Sequence, residues 1–137
     1  MKITDVTVKR YSASRDPRAD AAGIQIVEVH TDAGVTGMGF VSAGSANSDL
    51  VAMLVRRNLK AVLLGEDPLL TDDLWRRTHD QAVPRRGGEG IVRTCMAAVD
   101  FALWDLTSLA IAGHGDGWWS PRAPAPPARR PRRARGR

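Results

Sequence analysis

The chain has 137 residues, 43% of them hydrophobic and 26% charged, which suits one ordinary domain with a core but not two. Its net charge of +5 is unevenly placed: residues 1–112 hold 13 Lys+Arg against 14 Asp+Glu, a net of −1, while residues 113–137 hold seven Arg against one Asp, a net of +6. Cys95 is the only cysteine, which excludes an internal disulfide and fits a reducing compartment.

The first residues, Met1-Lys2-Ile3-Thr4-Asp5, show neither an apolar signal core nor a cleavage pattern. The most apolar run, 91–112, is interrupted by Arg93, Asp100 and Asp105, so no uncharged membrane span is expected. A cytoplasmic protein is the expectation. Val6 and Val8 alternate with Thr7 and Lys9, predicting a strand over 2–11. Residues 12–22, with Pro17 inside, read as a long loop, which in a compact domain is functional or mobile. A second strand is predicted over 23–31. Ile24, Ile26, Val27 and Val29 place apolar groups on both of its faces. Asp32-Ala33-Gly34 is a turn, and residues 35–42 are a third strand whose Gly37 and Gly39 mark a bulge or a close backbone approach.

A second loop, Ala43 to Asn47, precedes a helix capped by Asn47 or Ser48 and running to about Leu64. Leu50, Met53, Leu54 and Val62 are its expected buried face, and Gly65 ends it. Asp67-Pro68 reads as the start of a second helix, with Leu70, Leu74 and Thr78 in one row and its end near Gln81. Pro84 to Gly90 reads as a link. Ile91, Cys95, Val99, Ala102, Leu103, Leu106 and Ala110 then recur at helical spacing along the longest helix. Three strands followed by three helices predict an α+β domain: a three-stranded antiparallel meander and a three-helix bundle.

Three segments in this order carry a family resemblance. The first is Thr31-Asp32-Ala33-Gly34-Val35-Thr36-Gly37-Met38-Gly39, a "TDxGxxGxG" pattern. Gly65-Glu66-Asp67-Pro68 with Leu74-Trp75 is a "GxDP…LW" pattern, and Ala98-Val99-Asp100-Phe101-Ala102-Leu103-Trp104-Asp105-Leu106 is close to "AxDxALWDL". Together they resemble the N-terminal capping domain of the mandelate racemase and muconate lactonizing branch of the enolase superfamily, over roughly residues 1–112. The resemblance implies a cap over a modified (β/α) barrel. The barrel would abstract the proton α to a carboxylate while Mg²⁺ stabilises the enediolate, with racemization, dehydration or cycloisomerization as the outcome. The cap would supply two substrate loops, here Ser12 to Ala22 and about Val41 to Asn47. The site candidates are therefore Arg15, Asp16, Arg18, Val41 and Ser42. Arg15 and Arg18 suit a substrate carboxylate or sugar hydroxyls, and solvated loop charges account for them equally well.

The resemblance stops near residue 112. Thr107-Ser108-Leu109 lacks the family's lysine, and only 25 residues follow Ala112, where a barrel needs roughly 200. The only lysines are Lys2, Lys9 and Lys60, so no Lys-x-Lys exists and no catalytic or metal residue is carried over. No cofactor is expected in this chain, Mg²⁺ being the cofactor of a full-length parent. Residues 113–137 read as a disordered Pro/Arg-rich tail, and the abrupt switch in composition suggests a shifted reading frame.

The expected partner is a missing or separately encoded barrel, with self-association through exposed Trp75 and Trp104. Asp100 and Asp105, five apart on a helix, are expected to be structural and to bond at the cap–barrel seam. His30, His79 and His114 lack ligand spacing, and Cys95 belongs to the core. The rival functional class is a non-enzymatic module whose basic tail, with Trp118 and Trp119, binds nucleic acid or another polyanion.

Overall fold

The computed structural model describes residues 1–12, 23–43, 47–86 and 90–112. Strands β1 (Ile3–Ser12), β2 (Gly23–Thr31) and β3 (Thr36–Ser42) form one antiparallel sheet in the order β1-β2-β3. Helix α1 (Ser48–Leu54), a π turn (Val55–Leu59) and α2 (Lys60–Leu63) run on as one rod, followed by α3 (Thr71–Arg86) and α4 (Ile91–Ile111). The expected α+β order is present.

Alternation along β2 sorts its two faces. Gln25, Val27, Val29 and Thr31 are buried, and their cross-strand partners include Val6, Val8, Gly37, Gly39 and Val41. This face carries the core, together with Val51, Val55, Leu59, Leu63, Leu74 and the inner side of α4. At the β2–β3 turn Gly34 takes φ +75° and donates its N–H to the Thr31 carbonyl at 3.1 Å, a conformation that glycine adopts without a Cβ penalty.

Helix α4 lies unusually close to β3. A Cβ on Gly39 would sit 1.9 Å from the Ala98 carbonyl oxygen, and one on Gly37 would sit 2.1 Å from that of Ala102. Of the two expectations for these glycines, close approach is correct. The irregularity in strand pairing lies instead at Ile3/Asp5 in β1. Beside the glycines, Asp105 accepts the Met38 N–H at 2.9 Å, tying α4 to β3.

Three expectations about the helices change. Of the expected face, Leu54 and Val62 are buried but Leu50 and Met53 are exposed, and the core row is Val51, Val55, Leu59 and Leu63. Steps of four drift around an α-helix of 3.6 residues per turn. The π turn, where the Lys60 N–H reaches back to the Val55 carbonyl, offsets that drift and keeps the row on the core. Asp67-Pro68 opens a turn rather than the helix itself. The Asp67 carboxylate accepts the Leu69 N–H at 3.1 Å and its carbonyl accepts the Leu70 N–H at 3.2 Å, so α3 begins at Thr71 and buries Thr71, Leu74, Thr78 and Ala82 while Leu70 is exposed. Finally, α3 continues through Pro84 to Arg86. The proline there removes one backbone donor without ending the helix.

Helix α4 is long and apolar enough to cross a membrane by length and composition. Its burial against the sheet and α3 makes it a core helix here, with Val92, Cys95, Met96, Val99, Leu103 and Leu106 all buried. Replacing Gly39 with Ala should cost about 3 kcal/mol, the upper range for overpacking against rigid backbone. Urea unfolding at constant m-value measures it, and a loss below about 0.5 kcal/mol, the scale of ordinary surface changes, would contradict the packing described.

Candidate functional site

The sheet register gathers two loop roots at one end. Ser12 pairs with Gly23, and Ile24 pairs with both Tyr11 and Ser42. The β1–β2 connection and the chain leaving β3 therefore start side by side. Arg15, Asp16 and Arg18 lie in that connection, outside the described residues. Val41 and Ser42 are described. Val41 is buried in the core opposite Gln25, whereas Ser42 is exposed at the loop root. Val41 thus anchors the strand end, and Ser42 is the one of the two with a hydroxyl available to solvent.

Gln25 is a residue that sequence reasoning missed. Its side chain is completely buried. Its Oε1 accepts the Ala43 N–H at 3.3 Å, and its Nε2 has no hydrogen-bond partner among the described residues. An unmet buried donor costs about 1–3 kcal/mol, so this amide holds the root of the second loop at a cost to stability. The available signal was a polar residue in phase with Val27 and Val29.

The opposite end of the outer sheet face holds a closed polar network. Lys9 Nζ donates to Glu28 Oε1 at 2.7 Å, and Thr7 Oγ1 donates to Glu28 Oε2 at 3.2 Å. His30 bridges Thr7 Oγ1 at 3.1 Å and Thr36 Oγ1 at 3.0 Å. His30 is therefore a packing histidine, and His79 stacks on Trp75 with ring centroids 5.3 Å apart. His114, Trp118 and Trp119 lie outside the described residues.

The two helix carboxylates differ. Asp105 is buried and bonds Met38 inside the domain, which corrects its expected place at a seam with another domain. Asp100 is half-buried, and its pKa is raised by desolvation and, secondarily, by the nearby Asp72 carboxylate. Cys95 is buried, its thiol pushed up to about 11 by desolvation, so it is inert core. The crevice beside it, lined by Leu54, Asn58, Leu59, Ala82 and Val92, is too narrow to seat a water molecule. Among the described residues no group of three or more His, Cys, Asp or Glu could hold a metal. The described residues therefore do not fit a Mg²⁺ site. What they build is a sheet end from which two connections leave side by side.

A three-stranded meander backed by three helices, with the ends of β1 and β3 side by side, is an enolase-type N-terminal domain. Residues 3–113 match the family model of the mandelate racemase / muconate lactonizing enzyme N-terminal domain, and the chain belongs to that family. A racemase from Streptomyces coelicolor A3(2), solved with bound magnesium, superposes with a TM-score of 0.69 at 26% identity, over 80% of this chain and 32% of that one. The D-galactonate dehydratase of Ralstonia pickettii (strain 12J) is 36% identical over 107 residues, 77% of this chain and 24% of its own length. A D-galactonate dehydratase family member from Marinomonas sp. (strain MWYL1) is 35% identical over 80 residues, 58% of this chain and 19% of its own length. The chain thus spans about a fifth to a third of the length of these relatives.

Two outcomes follow from the side chains at hand. Gln25→Leu should stabilise the domain by about 1 kcal/mol by removing the unmet donor and should speed hydrogen exchange at the Ala43 amide. Destabilisation together with an unchanged Ala43 rate would contradict this assignment. For Asp100, the folded pKa lies above the ordinary aspartate value of 3.8, so the folded state holds the proton more tightly. Stability is then favoured below pH 3.8 and falls as pH rises through the folded pKa. Asp100→Asn should match the parent chain in acid and exceed it at neutral pH, as read from thermal melts across the pH range.

Proposed function

We propose that this domain is the substrate-loop cap of a cytoplasmic enzyme that abstracts the proton α to the carboxylate of a sugar acid, leading to dehydration or racemization. The reacting groups would lie on a barrel outside the described residues. The observation that carries this reading is the convergence of both loop roots at one sheet end, in a chain similar to sugar-acid dehydratases and a racemase. In this reading Arg15 and Arg18 pair with the substrate carboxylate, where a guanidinium fork gives charge-assisted bonds. Asp16 and the Ser42 hydroxyl accept or donate to sugar hydroxyls. Val41 and Gln25 fix where the second loop starts. Closing such loops over a substrate excludes water and ties specificity to loop side chains.

In this reading Mg²⁺, the Lewis acid of this chemistry, would be held by the barrel. The chain by itself is then inactive, and a barrel is its functional partner. The polyanion-binding alternative rests on residues 113–137, outside the described residues, while the segment before them is slightly acidic.

The test combines this chain with a separately expressed barrel from a D-galactonate dehydratase relative. Exchange of the α-proton of D-galactonate is followed by NMR in deuterated water. Exchange is expected only in the mixture with Mg²⁺, and Arg15→Ala or Arg18→Ala should raise KM about 10- to 100-fold, the loss of a charge-assisted contact. Exchange by this chain alone, or by the barrel equally well without it, would sink the reading.

A further inference from the structure

The flank of α4 turned away from the core is an apolar row that leads to a carboxylate. Trp104 is 52% exposed and Ile111 80%. At about 3.6 residues per turn, Asp100, Trp104 and Ile111 fall within about 40° of one another around the helix. Ser108, in the same row, donates its hydroxyl back to the Trp104 carbonyl at 2.9 Å. Phe101, one step around the helix, is already engaged. Its ring stacks at 6.3 Å on Phe40 of the outer sheet face, an apolar patch shared with exposed Tyr11 and Ile24. Trp104 has no ring partner among the described residues. At the far end of the row the Asp100 carboxylate lies near that of Asp72 on α3, and neither has a cationic partner among the described residues.

We propose that residues 113–122 of the same chain fold back along this row, with Trp118 and Trp119 packed on Trp104 and Ile111, and Arg122 between Asp100 and Asp72. Three observations favour this occupant. First, reach and order agree. Counting back from Ala112, Trp104 is eight residues away, about 12 Å along the axis, and Asp100 twelve residues, about 18 Å. Counting forward, Trp118 is six residues away, up to about 20 Å of chain, and Arg122 ten residues, up to about 34 Å. The helix presents its aromatic first and its carboxylate second, and the following segment offers two indoles first and a guanidinium second.

Second, the charges are complementary. Residues 113–137 carry a net of +6 and residues 1–112 a net of −1. A guanidinium beside two neighbouring carboxylates relieves their repulsion and forms charge-assisted bonds. Third, the segment is tethered. A covalent link of this length gives an effective concentration on the order of millimolar, ahead of a separate partner at micromolar concentration. The docked segment closes over the one exposed indole of α4, and this contact is independent of the loop-presenting role.

The experiment uses the full 137-residue chain with Ala123→Cys carrying a nitroxide spin label. Cys95 is buried and stays unlabelled. Paramagnetic broadening of backbone amides is read by NMR. Broadening should be strongest around Asp100, Trp104 and Ser108 and should fall off toward β1. Trp118→Ser combined with Trp119→Ser should weaken docking about tenfold, the scale of lost aromatic packing. Both changes lie outside residues 1–112, so the loss cannot come from an unfolded domain. Asp100→Asn should weaken it about two- to fivefold, the scale of an exposed ion pair. Absence of broadening at Trp104 would overturn the proposal, as would broadening that survives the loss of both tail indoles. A third overturning outcome is equal broadening when the spin label and the isotope label are on different copies, since that places the segment on a neighbouring molecule. No barrel is present in these samples, so the outcome leaves the proposed function untouched.

Discussion

The fold depends on how closely a helix backbone can approach an edge strand. Two glycines on β3 present hydrogens where any other residue would drive a Cβ into the Ala98 and Ala102 carbonyls. That contact brings the Asp105 carboxylate within 2.9 Å of the Met38 N–H. A charged acceptor on a backbone donor contributes about 1.5–3 kcal/mol, and here it also satisfies an N–H at a strand edge. An edge strand left open is a template for further pairing. In this domain Asp105 of α4 takes up the Met38 donor on that edge, and the rest of α4 lies where Val99, Leu103 and Leu106 complete the core.

Once α4 is fixed, the sheet has one covered face and one open face. The covered face is apolar apart from Gln25 at the loop end, where the amide trades an unmet donor for a hold on Ala43. The open face divides by row into a polar network that satisfies itself and an apolar patch that does not. The same β3 edge joins that patch to Phe101. A buried amide at one loop root and two neighbouring loop starts mark that end of the sheet. Among the described residues no three His, Cys, Asp or Glu side chains gather where a metal ion could bind.

Much of the fold was legible from residue pattern. Alternation in β1 and β2, the Asp32-Ala33-Gly34 turn, and the long apolar repeat of α4 are local signals, and each element formed where its signal lay. The misreadings have local causes as well. Asp67-Pro68 suits a helix start, but the Asp67 carboxylate and carbonyl close a turn around Leu69 and Leu70 first. Leu50 and Met53 suit a helical face until the π turn resets which side meets the core. The candidate site was read from composition as two loop positions, of which only the roots, with Val41 and Ser42, are described. Gln25 was not, because its importance lies in being buried, and the same residue in an exposed strand would mean nothing.

The sequence by itself determined the order of elements, the α+β class and the family, since each rests on spacing along the chain. It also showed that the positive charge lies after residue 112 rather than in the domain. Tertiary structure decided the meaning of individual polar and aromatic residues. Asp105 serves β3 rather than a distant domain, Asp100 carries a raised pKa, and Phe40 and Phe101 form one surface although 61 positions separate them. The reason is physical. Periodicity specifies which side of an element a residue takes, whereas desolvation, hydrogen bonding and ring stacking depend on which other element arrives at that side.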